Sequence, residues 1–153
     1  MADRKPRVLA IASSGGHWIQ LRRLRPAFEG FDVVYVSVAA DYAADVPGHR
    51  FYAVSDVTRF SLSGALTLFP QLVKIMLTER PDVVITTGSA PGMAALAVAK
   101  LCTRAKTIWI DSIANCERLS SSGKQARRFA DVWLTQWPEL TTEAGPKFWG
   151  AVL

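Results

Sequence analysis

Cysteine and histidine are scarce in this 153-residue sequence, which contains two of each. Cys102 and Cys116 lack the close, repeated spacing of metal ligands, so we expect reduced thiols in a cytosolic protein and no metal site. The sequence also lacks an apolar run of roughly 18 to 20 residues, the length of a membrane-spanning helix. The closest approach, 62–77, is interrupted by a proline, a glutamine and a lysine. Any contact with a membrane should therefore be peripheral.

The common nucleotide-binding glycine motifs are missing, although a pair of glycines lies between the first predicted strand and the helix after it, where such motifs usually occur. The segment Ser13-Ser14-Gly15-Gly16-His17 follows a predicted strand and opens a predicted helix. No third glycine follows three residues on, and there is no Gly-Lys-Ser/Thr ending of a P-loop. Glycines at a helix start let backbone N–H groups approach an anion, and the helix dipole adds partial positive charge. The segment is either an anion-binding loop, with His17 as a titratable side chain, or a plain tight turn.

Basic residues exceed acidic ones in this sequence. The formal net charge is +5, and half of the residues are hydrophobic. A basic, apolar-rich chain favours an anionic membrane surface or a phosphorylated ligand, although a merely solubilising surface explains the same charge. The bases are scattered and accompany no nucleic-acid-binding motif, so we expect no nucleic acid partner. No apolar segment precedes the first predicted strand, which argues against a signal peptide.

Short runs rich in valine and isoleucine alternate with segments of helical periodicity. The length is that of one domain. The runs show no polar alternation, which is typical of strands covered on both faces in a parallel sheet. Right-handed crossovers then predict an α/β fold, a Rossmann-like parallel sheet with helices on both faces, over 1–153. The predicted strands are 8–12, 32–38, 51–54, 82–86, 107–110 and 132–135, and the predicted helices are 17–28, about 61–79, 92–103 and 124–129.

Three loops follow strands of this sheet and should meet at its carboxyl edge, where such folds bind ligands. The first is the segment 13–17. The second, 88–92, also precedes a helix and is either a second anion site or a Gly-Pro turn. The third runs from Asp111 to Lys124. Asp111 directly follows a strand, where functional carboxylates often lie, but a helix cap or a salt bridge explains it almost as well.

Two further segments carry unusual apolar surface. The predicted helix 61–79 has an apolar arc wider than one side of a sheet requires, so it is either a deeply packed core helix or a surface for a membrane or a partner chain. Pro70 should kink or restart this helix. The tail 136–153 contains two tryptophans and a phenylalanine. These side chains are costly to leave in water and must pack on this domain or on another chain.

Several motifs together resemble those of a known family. The first is the Ser-Ser-Gly-Gly-His segment at 13–17, followed by Gln20-Leu21, and the second is the loop 88–92 with a helix of small residues that ends at Lys100. The third begins with Ile-Asp-Ser at 110–112 and ends with Ser-Gly-Lys at 122–124. The last two are Ala130-Asp131 and the Gln-Trp-Pro-Glu-Leu sequence at 136–140. In combination they resemble the PssD-type polysaccharide-biosynthesis proteins. These are bacterial relatives of the membrane-anchoring subunit of the dolichol-linked N-acetylglucosaminyltransferase. The likeness covers nearly the whole chain.

The resemblance implies the acceptor-side, N-terminal half of a MurG-like GT-B glycosyltransferase. A separate small donor-binding subunit of PssE type would hold the UDP-sugar, so this chain would need no cofactor of its own and be inactive alone. The two chains would transfer the sugar to a lipid-diphosphate-linked acceptor in polysaccharide biosynthesis. They would do so at the cytoplasmic face of the cell membrane, with peripheral contact to anionic lipid.

The resemblance also suggests roles for individual residues. His17 is the candidate base or orienting group for the acceptor hydroxyl, with Asp111 as a weaker second candidate. The suggested acceptor- and phosphate-binding residues are Ser13, Ser14, Gly15, Gly16, Gly88, Ser89, Gly92, Ser122, Gly123 and Lys124. The suggested partner-docking residues are Gln136, Trp137, Pro138, Glu139, Phe148 and Trp149.

The sequence departs from the family pattern in two places. Many relatives have Glu-Ser-x-x-Arg after the fifth strand, whereas this chain has Asp111-Ser112-Ile113-Ala114-Asn115 and so lacks a fixed cation there. The eukaryotic relatives carry an N-terminal transmembrane helix that is not seen in this sequence. A self-contained enzyme acting on a phosphate or nucleotide ligand is the alternative function, and the missing nucleotide motifs argue against it.

Overall fold

A seven-stranded, all-parallel sheet lies at the centre of this chain, with helices on both faces. The computed structural model describes residues 4–57 and 62–152. The strands are β1 (Arg7–Ile11), β2 (Asp32–Ser37), β3 (Arg50–Ala53), β4 (Val83–Thr86), β5 (Lys106–Ile110), β6 (Val132–Thr135) and β7 (Lys147–Phe148). The α-helices are α1 (Gly16–Arg23), α2 (Leu62–Glu79), α3 (Ser89–Cys102) and α4 (Ser121–Ala126), and short 3₁₀ helices span Arg25–Phe28, Ala40–Asp45 and Pro138–Leu140. The predicted fold class, a Rossmann-like parallel sheet, is confirmed.

The order of the strands creates a crevice at one edge of the sheet. Across the sheet the order is β3-β2-β1-β4-β5-β6-β7, and all neighbouring strands run parallel. The winding direction reverses between β1 and β4, because β2 and β3 lie on one side and β5 to β7 on the other. At such a switch point the loops after the two central strands diverge to opposite faces and leave room for a ligand.

Residues of the central strands enter two separate cores. Leu9 and Ile11 of β1 pack with apolar residues of α2, α3 and α4 on one face of the sheet. Val8 and Ala10 enter the core on the opposite face, where Trp18 of α1 is buried. Because both faces are covered, the strands are continuous apolar runs rather than alternating ones.

Several boundaries differ from the predicted ones. α3 begins at Ser89 rather than at 92, because Pro91 falls in the first turn, where a backbone N–H has no intrahelical acceptor. α2 does not restart at Pro70, which is exposed, so water can hydrate the carbonyl left without a donor. The predicted start of this helix, residue 61, lies outside the described residues. β7 is too short to show periodicity and has no sequence signal.

Ionic contacts join four elements at the amino edge of the sheet, opposite the crevice. Asp32 of β2 accepts hydrogen bonds from Arg7 and Arg50, each at 2.7 Å. Both arginines also lie 3.4 Å from the buried carboxylate of Glu79, which accepts a hydrogen bond from the Tyr52 hydroxyl at 2.6 Å. Burial raises the pKa of Asp32, but the two arginines outweigh it and hold that pKa below its ordinary value. These contacts tie β1, β2, β3 and α2 together.

Candidate functional site

An open cleft of about 440 Å³ lies at the carboxyl edge of the sheet, at the switch point between β1 and β4. Its lining is rich in hydroxyl groups, and the described residues that line it include no lysine or arginine. The lining residues are Ser13, Ser14, His17, Asp56, Val57, Ser89, Ala90, Pro91, Ser112, Ala114, Asn115, Ser120 and Ser122. The three loops expected at this edge therefore meet in one cleft, as the topology requires.

His17 is held in one orientation by the loop that follows β4. Its Nδ1 lies 3.1 Å from the carbonyl oxygen of Thr87, and the Thr87 hydroxyl donates to the His17 carbonyl at 2.6 Å. A carbonyl oxygen can only accept, so Nδ1 carries the proton in this contact. In the neutral ring Nε2 then has a free lone pair. The first two loops are thus joined directly, and His17 is prepared to accept a proton or a hydrogen bond in the cleft.

The start of α1 is fixed by an aromatic stack behind the first loop. Gly15 has φ 68° and caps α1, and its N–H donates to the Tyr42 hydroxyl at 3.1 Å. Tyr42 stacks on Trp18 with ring centroids 5.0 Å apart. The Gly15 amide is therefore used within the protein. The amides of Gly16 and His17 belong to the first turn of α1, where helical N–H groups have no intrahelical acceptor and are suited to an anion.

Ser89 at the start of α3 combines backbone strain with an unsatisfied hydroxyl. Its φ is 75°, a left-handed conformation that costs a non-glycine residue roughly 1–3 kcal/mol. Its Oγ is buried and has no hydrogen-bond partner among the described residues, although the residue lines the cleft. Gly88 precedes it as the helix cap with φ 126°. Because Oγ is buried, a rotation about χ1 would be needed to bring this hydroxyl into the cleft, where it would be a donor for an anionic ligand at the start of α3.

Two of the predicted site glycines are required by close packing, and their contact with a ligand stays a prediction. A Cβ on Gly92 would lie 2.1 Å from Thr86 Oγ1, so glycine lets α3 approach β4 closely. A Cβ on Gly123 would lie 2.4 Å from Asp111 Oδ1, so glycine lets α4 approach the third loop. Both glycines are buried, and neither lines the cleft. Lys124 is exposed and does not line it either.

Asp111 organises the third loop and does not face the cleft as a free carboxylate. It is 1% exposed and accepts a hydrogen bond from Trp109 Nε1 at 3.1 Å and another from Asn115 Nδ2 at 3.2 Å. The backbone N–H and hydroxyl of Ser120 add two more, at 3.0 and 2.6 Å. This geometry gives Asp111 a positioning role, because its donors place Asn115 and Ser120 on the cleft wall.

A buried pair of glutamines supports the cleft from below. Gln20 of α1 donates to the Ser112 hydroxyl at 3.1 Å and accepts from the Ile113 N–H at 3.1 Å. Gln136 donates to Gln20 Oε1 at 2.7 Å and accepts from the Val152 N–H at 2.7 Å. Gln136 therefore links α1, the third loop and the C-terminal segment, and in this structure its amide is fully engaged inside the protein.

One part of the aromatic tail packs against the third loop, and the other part is exposed. Trp137 is half-buried, and its Nε1 donates to the Ile113 carbonyl at 2.7 Å. Pro138 and Glu139 are exposed. Phe148 on the edge strand β7 is 40% exposed, and the adjacent Trp149 is 68% exposed. Of the suggested docking residues, Phe148 and Trp149 offer the apolar surface.

The sequence reasoning missed one whole wall of the cleft. Asp56 and Val57 line it, because they follow β3 at the carboxyl edge. The rule that ligands bind beyond strand ends would have found them, had it been applied to this short edge strand as well. Among the residues described, no three potential metal-ligating side chains cluster.

Several solved structures share this fold at low sequence identity. MurG from Acinetobacter baumannii is 13% identical, with a TM-score of 0.73 over 92% of this chain and 44% of its own. UDP-N-acetylglucosamine 2-epimerase from Rickettsia bellii is 15% identical, with a TM-score of 0.66 over 92% of this chain and 40% of its own. A glycosyltransferase from Rickettsia africae is 15% identical, with a TM-score of 0.60 over 79% and 33%. The chain therefore spans less than half the length of each.

A match to a sequence family identifies this chain more specifically than the shared fold does. Comparison with curated proteins gave no significant match. The family described as "Oligosaccharide biosynthesis protein Alg14 like" matches residues 46–152. The match includes the second and third loops of the cleft and the aromatic tail, and it begins after the loop that carries His17. Since it covers more than half of the sequence, this chain belongs to the family of Alg14-like oligosaccharide biosynthesis proteins.

Proposed function

We propose that this chain is the acceptor-binding, membrane-associating subunit of a two-chain glycosyltransferase of PssD type. A small donor-binding subunit of PssE type holds the UDP-sugar, and the sugar passes to a lipid-diphosphate-linked acceptor in polysaccharide biosynthesis. The observation that carries the proposal is the cleft at the switch point, where two helix starts and a histidine of fixed tautomer meet. The family membership supports the same biosynthetic setting.

The cleft suits an anionic acceptor that carries a reactive hydroxyl. The first-turn amides of α1 and α3 bind the diphosphate, and the Ser89 hydroxyl joins them after rotating about χ1 out of its buried position. His17 Nε2 removes the proton of the acceptor hydroxyl as its oxygen forms a bond to the anomeric carbon. The bond from that carbon to the UDP oxygen breaks, and UDP leaves with the electron pair. In this proposal the partner chain, which holds the UDP-sugar, supplies the positive charge for the leaving diphosphate.

The outer face of α2 provides the membrane contact in this proposal. Leu62, Leu66, Phe69 and Leu77 are 79%, 71%, 43% and 57% exposed and lie on one side of the helix. Such a stripe, together with the net charge of +5, fits peripheral attachment to an anionic bilayer. In the part of the chain that the structure describes, no helix is long and apolar enough to cross a bilayer. We place the protein at the cytoplasmic face of the membrane.

The exposed end of the tail provides the contact with the donor subunit. Phe148 and Trp149 lie beside the open edge of the sheet at β7, and large exposed aromatic side chains are frequent anchors of protein interfaces. Gln136 and Trp137 act indirectly, because their hydrogen bonds hold the third loop against the tail. Pro138 and Glu139 lie on the same exposed segment.

Sugar transfer into lipid-extractable product tests the proposal. A panel of UDP-sugars is supplied with native membranes as acceptor, to this chain alone and to this chain with a co-expressed donor-domain protein from the same genome. We expect transfer only with both chains, and weaker transfer and weaker co-purification for Trp149→Ser. Transfer by this chain alone would favour the self-contained enzyme instead. No transfer with either preparation, from any UDP-sugar, would count against the proposed function.

A further inference from the structure

A second cavity, of about 350 Å³, lies directly beside the cleft, and its lining is mainly apolar. α2 and α3 form two of its walls, with Leu68 and Met93 among their contributions, and Phe129 closes a third side. Val57 and Ala90 line both this cavity and the cleft, so the two spaces share a wall. The catalytic steps proposed above do not use this cavity.

Small side chains on α3 create the space. Ala90, Ala94 and Ala97 recur at helical spacing along the wall that faces α2, where larger residues would close the gap. A closed gap would bury more apolar surface between the two helices and give native packing density. The alanines therefore leave the cavity open beside the cleft, and α2 and α3 lose apolar contact with each other as a result.

The far side of the cavity leads to the surface expected to meet the membrane. Phe69 lines both the cavity and a shallow apolar groove along the outer face of α2, and it is 43% exposed. Arg128 also lines the cavity and is exposed, so a cation stands at its outer side. The polar cleft, the apolar cavity and the exposed face of α2 thus follow one another, joined by shared lining residues.

We propose that this cavity binds the segment of the acceptor's hydrocarbon chain next to its diphosphate. The inference rests on the proposed function and names its ligand class, a flexible apolar chain joined to an anionic headgroup. The cavity is at the lower end of the roughly 300–1,000 Å³ typical of small-molecule pockets, so it takes only the first part of the chain. The remainder passes Phe69 toward the bilayer, and Arg128 lies near the anionic lipid headgroups.

Calorimetric titration of the full chain with two diphosphates tests this inference. Inorganic diphosphate probes the cleft alone, and monomeric geranyl diphosphate adds a short branched chain. We expect geranyl diphosphate to bind at least about tenfold more tightly, because its carbons leave water for the cavity. Ala97→Phe fills the cavity and should remove this gain while leaving the affinity for inorganic diphosphate unchanged. Ala27→Phe, an exposed alanine in the distant 3₁₀ helix Arg25–Phe28, is the matched control and should leave both affinities unchanged.

The outcomes separate this inference from the proposed function. Equal affinity for the two probes would overturn the chain subsite and leave the diphosphate cleft standing, whereas binding of neither would remove both. A gain lost in Leu66→Ser but kept in a folded Ala97→Phe protein would place the chain on the outer face of α2 and overturn the inference. If Ala97→Phe does not fold, Met93→Ala enlarges the cavity and should shift the preference toward farnesyl diphosphate. An unshifted preference would overturn the inference as well.

Discussion

His17 gains its chemistry from a contact that lies far from it in the sequence. The Thr87 carbonyl fixes the proton on Nδ1, and the absence of a side chain at Gly88 leaves room for the ring, since a Cβ there would lie 2.9 Å from it. The second loop thus selects the tautomer of a residue on the first. A histidine in the same loop without this carbonyl would have no defined role as acceptor or base.

Replacing His17 by asparagine separates the base from its anchoring contact. The asparagine Nδ2 can still donate to the Thr87 carbonyl, but the side chain has no basic nitrogen. We expect the rate of sugar transfer by the two-chain enzyme to fall about 10²–10⁴-fold, the usual contribution of a general base, with the thermal unfolding midpoint nearly unchanged. His49→Asn is the control, because His49 packs against Tyr35 away from the cleft. Full activity in His17→Asn would exclude His17 from proton transfer.

Other residues show why single positions are harder to predict than motifs. Asp111 follows a strand, as a catalytic carboxylate would, yet its four donors come from positions that only the folded loop brings together. Gly92 and Gly123 are required by close packing against Thr86 and Asp111, whatever they do toward a ligand. The sequence shows that a glycine or a carboxylate occupies a position, but its role depends on tertiary contacts that the sequence does not reveal.

At the scale of elements, the alternation of apolar runs and helical segments was sufficient to predict the sheet. Strands covered on both faces have a strong signal, and β1 to β6 all lie within one residue of the predicted positions. The errors fall where local rules compete. The start of α3 is hard to predict because it contains Pro91 and a Ser89 with a left-handed backbone conformation. The formation of β7 depends on its pairing with β6 rather than on the strand propensity of its own residues. The cleft wall at Asp56 was missed although β3 lies within one residue of its predicted position, because the loop after this edge strand carries no glycine or charged motif that marks it as a site.

α2 illustrates an element whose apolar surface exceeds what the core uses. Leu68, Leu72 and Met76 are buried against the sheet and α3, while the stripe from Leu62 to Leu77 is exposed. The core interpretation therefore holds for one face of this helix, whereas the other face is exposed and its role as a membrane or partner surface stays a prediction. The exposed apolar side chains are unfavourable in water, and contact with a membrane or another protein would bury them.

Binding to lipid vesicles tests the role of this face. Burying one leucine contributes about 1.5–3 kcal/mol, so Leu66→Ser should weaken binding to phosphatidylglycerol-containing vesicles by about tenfold or more. The thermal unfolding midpoint should hardly change, because Leu66 is 71% exposed. Co-sedimentation with vesicles measures the effect. Ile19→Ser on α1, exposed on the opposite side of the sheet, is the control. Equal losses in both variants would show that α2 is not the membrane-binding face.

At the scale of the whole molecule, the two edges of the sheet have opposite chemistry. The carboxyl edge presents hydroxyls, helix starts and a histidine, whereas the amino edge concentrates Arg7, Arg50, Asp32 and Glu79 in mutual ion pairs. The net charge of +5 indicated an anionic membrane surface, a phosphorylated ligand or a merely solubilising surface, and these interpretations stay predictions. The described residues that line the cleft include hydroxyl groups and His17 but no lysine or arginine.

The amino edge makes stability depend on pH in a defined direction. Burial raises the pKa of Asp32, but Arg7 and Arg50 outweigh it and lower the pKa in the folded protein below the ordinary 3.8. The unfolded chain therefore binds this proton more readily. The stabilisation is fully present above pH 3.8 and is lost as the pH falls through the lower, folded value. Asp131 acts in the same direction, because contacts from Lys100 and Thr107 lower its pKa despite burial.

Asp32→Asn should remove part of this pH dependence. We expect the free energy of unfolding near neutral pH to fall by about 1 kcal/mol, a value reduced because Asp32 is partly exposed and solvent screens its charge. As the pH falls below 3.8 the variant should lose less stability than the wild type, since the carboxylate with the lowered pKa is gone. Urea unfolding at a series of pH values measures both effects, with the exposed Glu143→Gln as control. If the wild type and Asp32→Asn lost stability in parallel, the ion pairs at the amino edge would contribute nothing measurable, and the two cores alone would hold β1, β2, β3 and α2 in place.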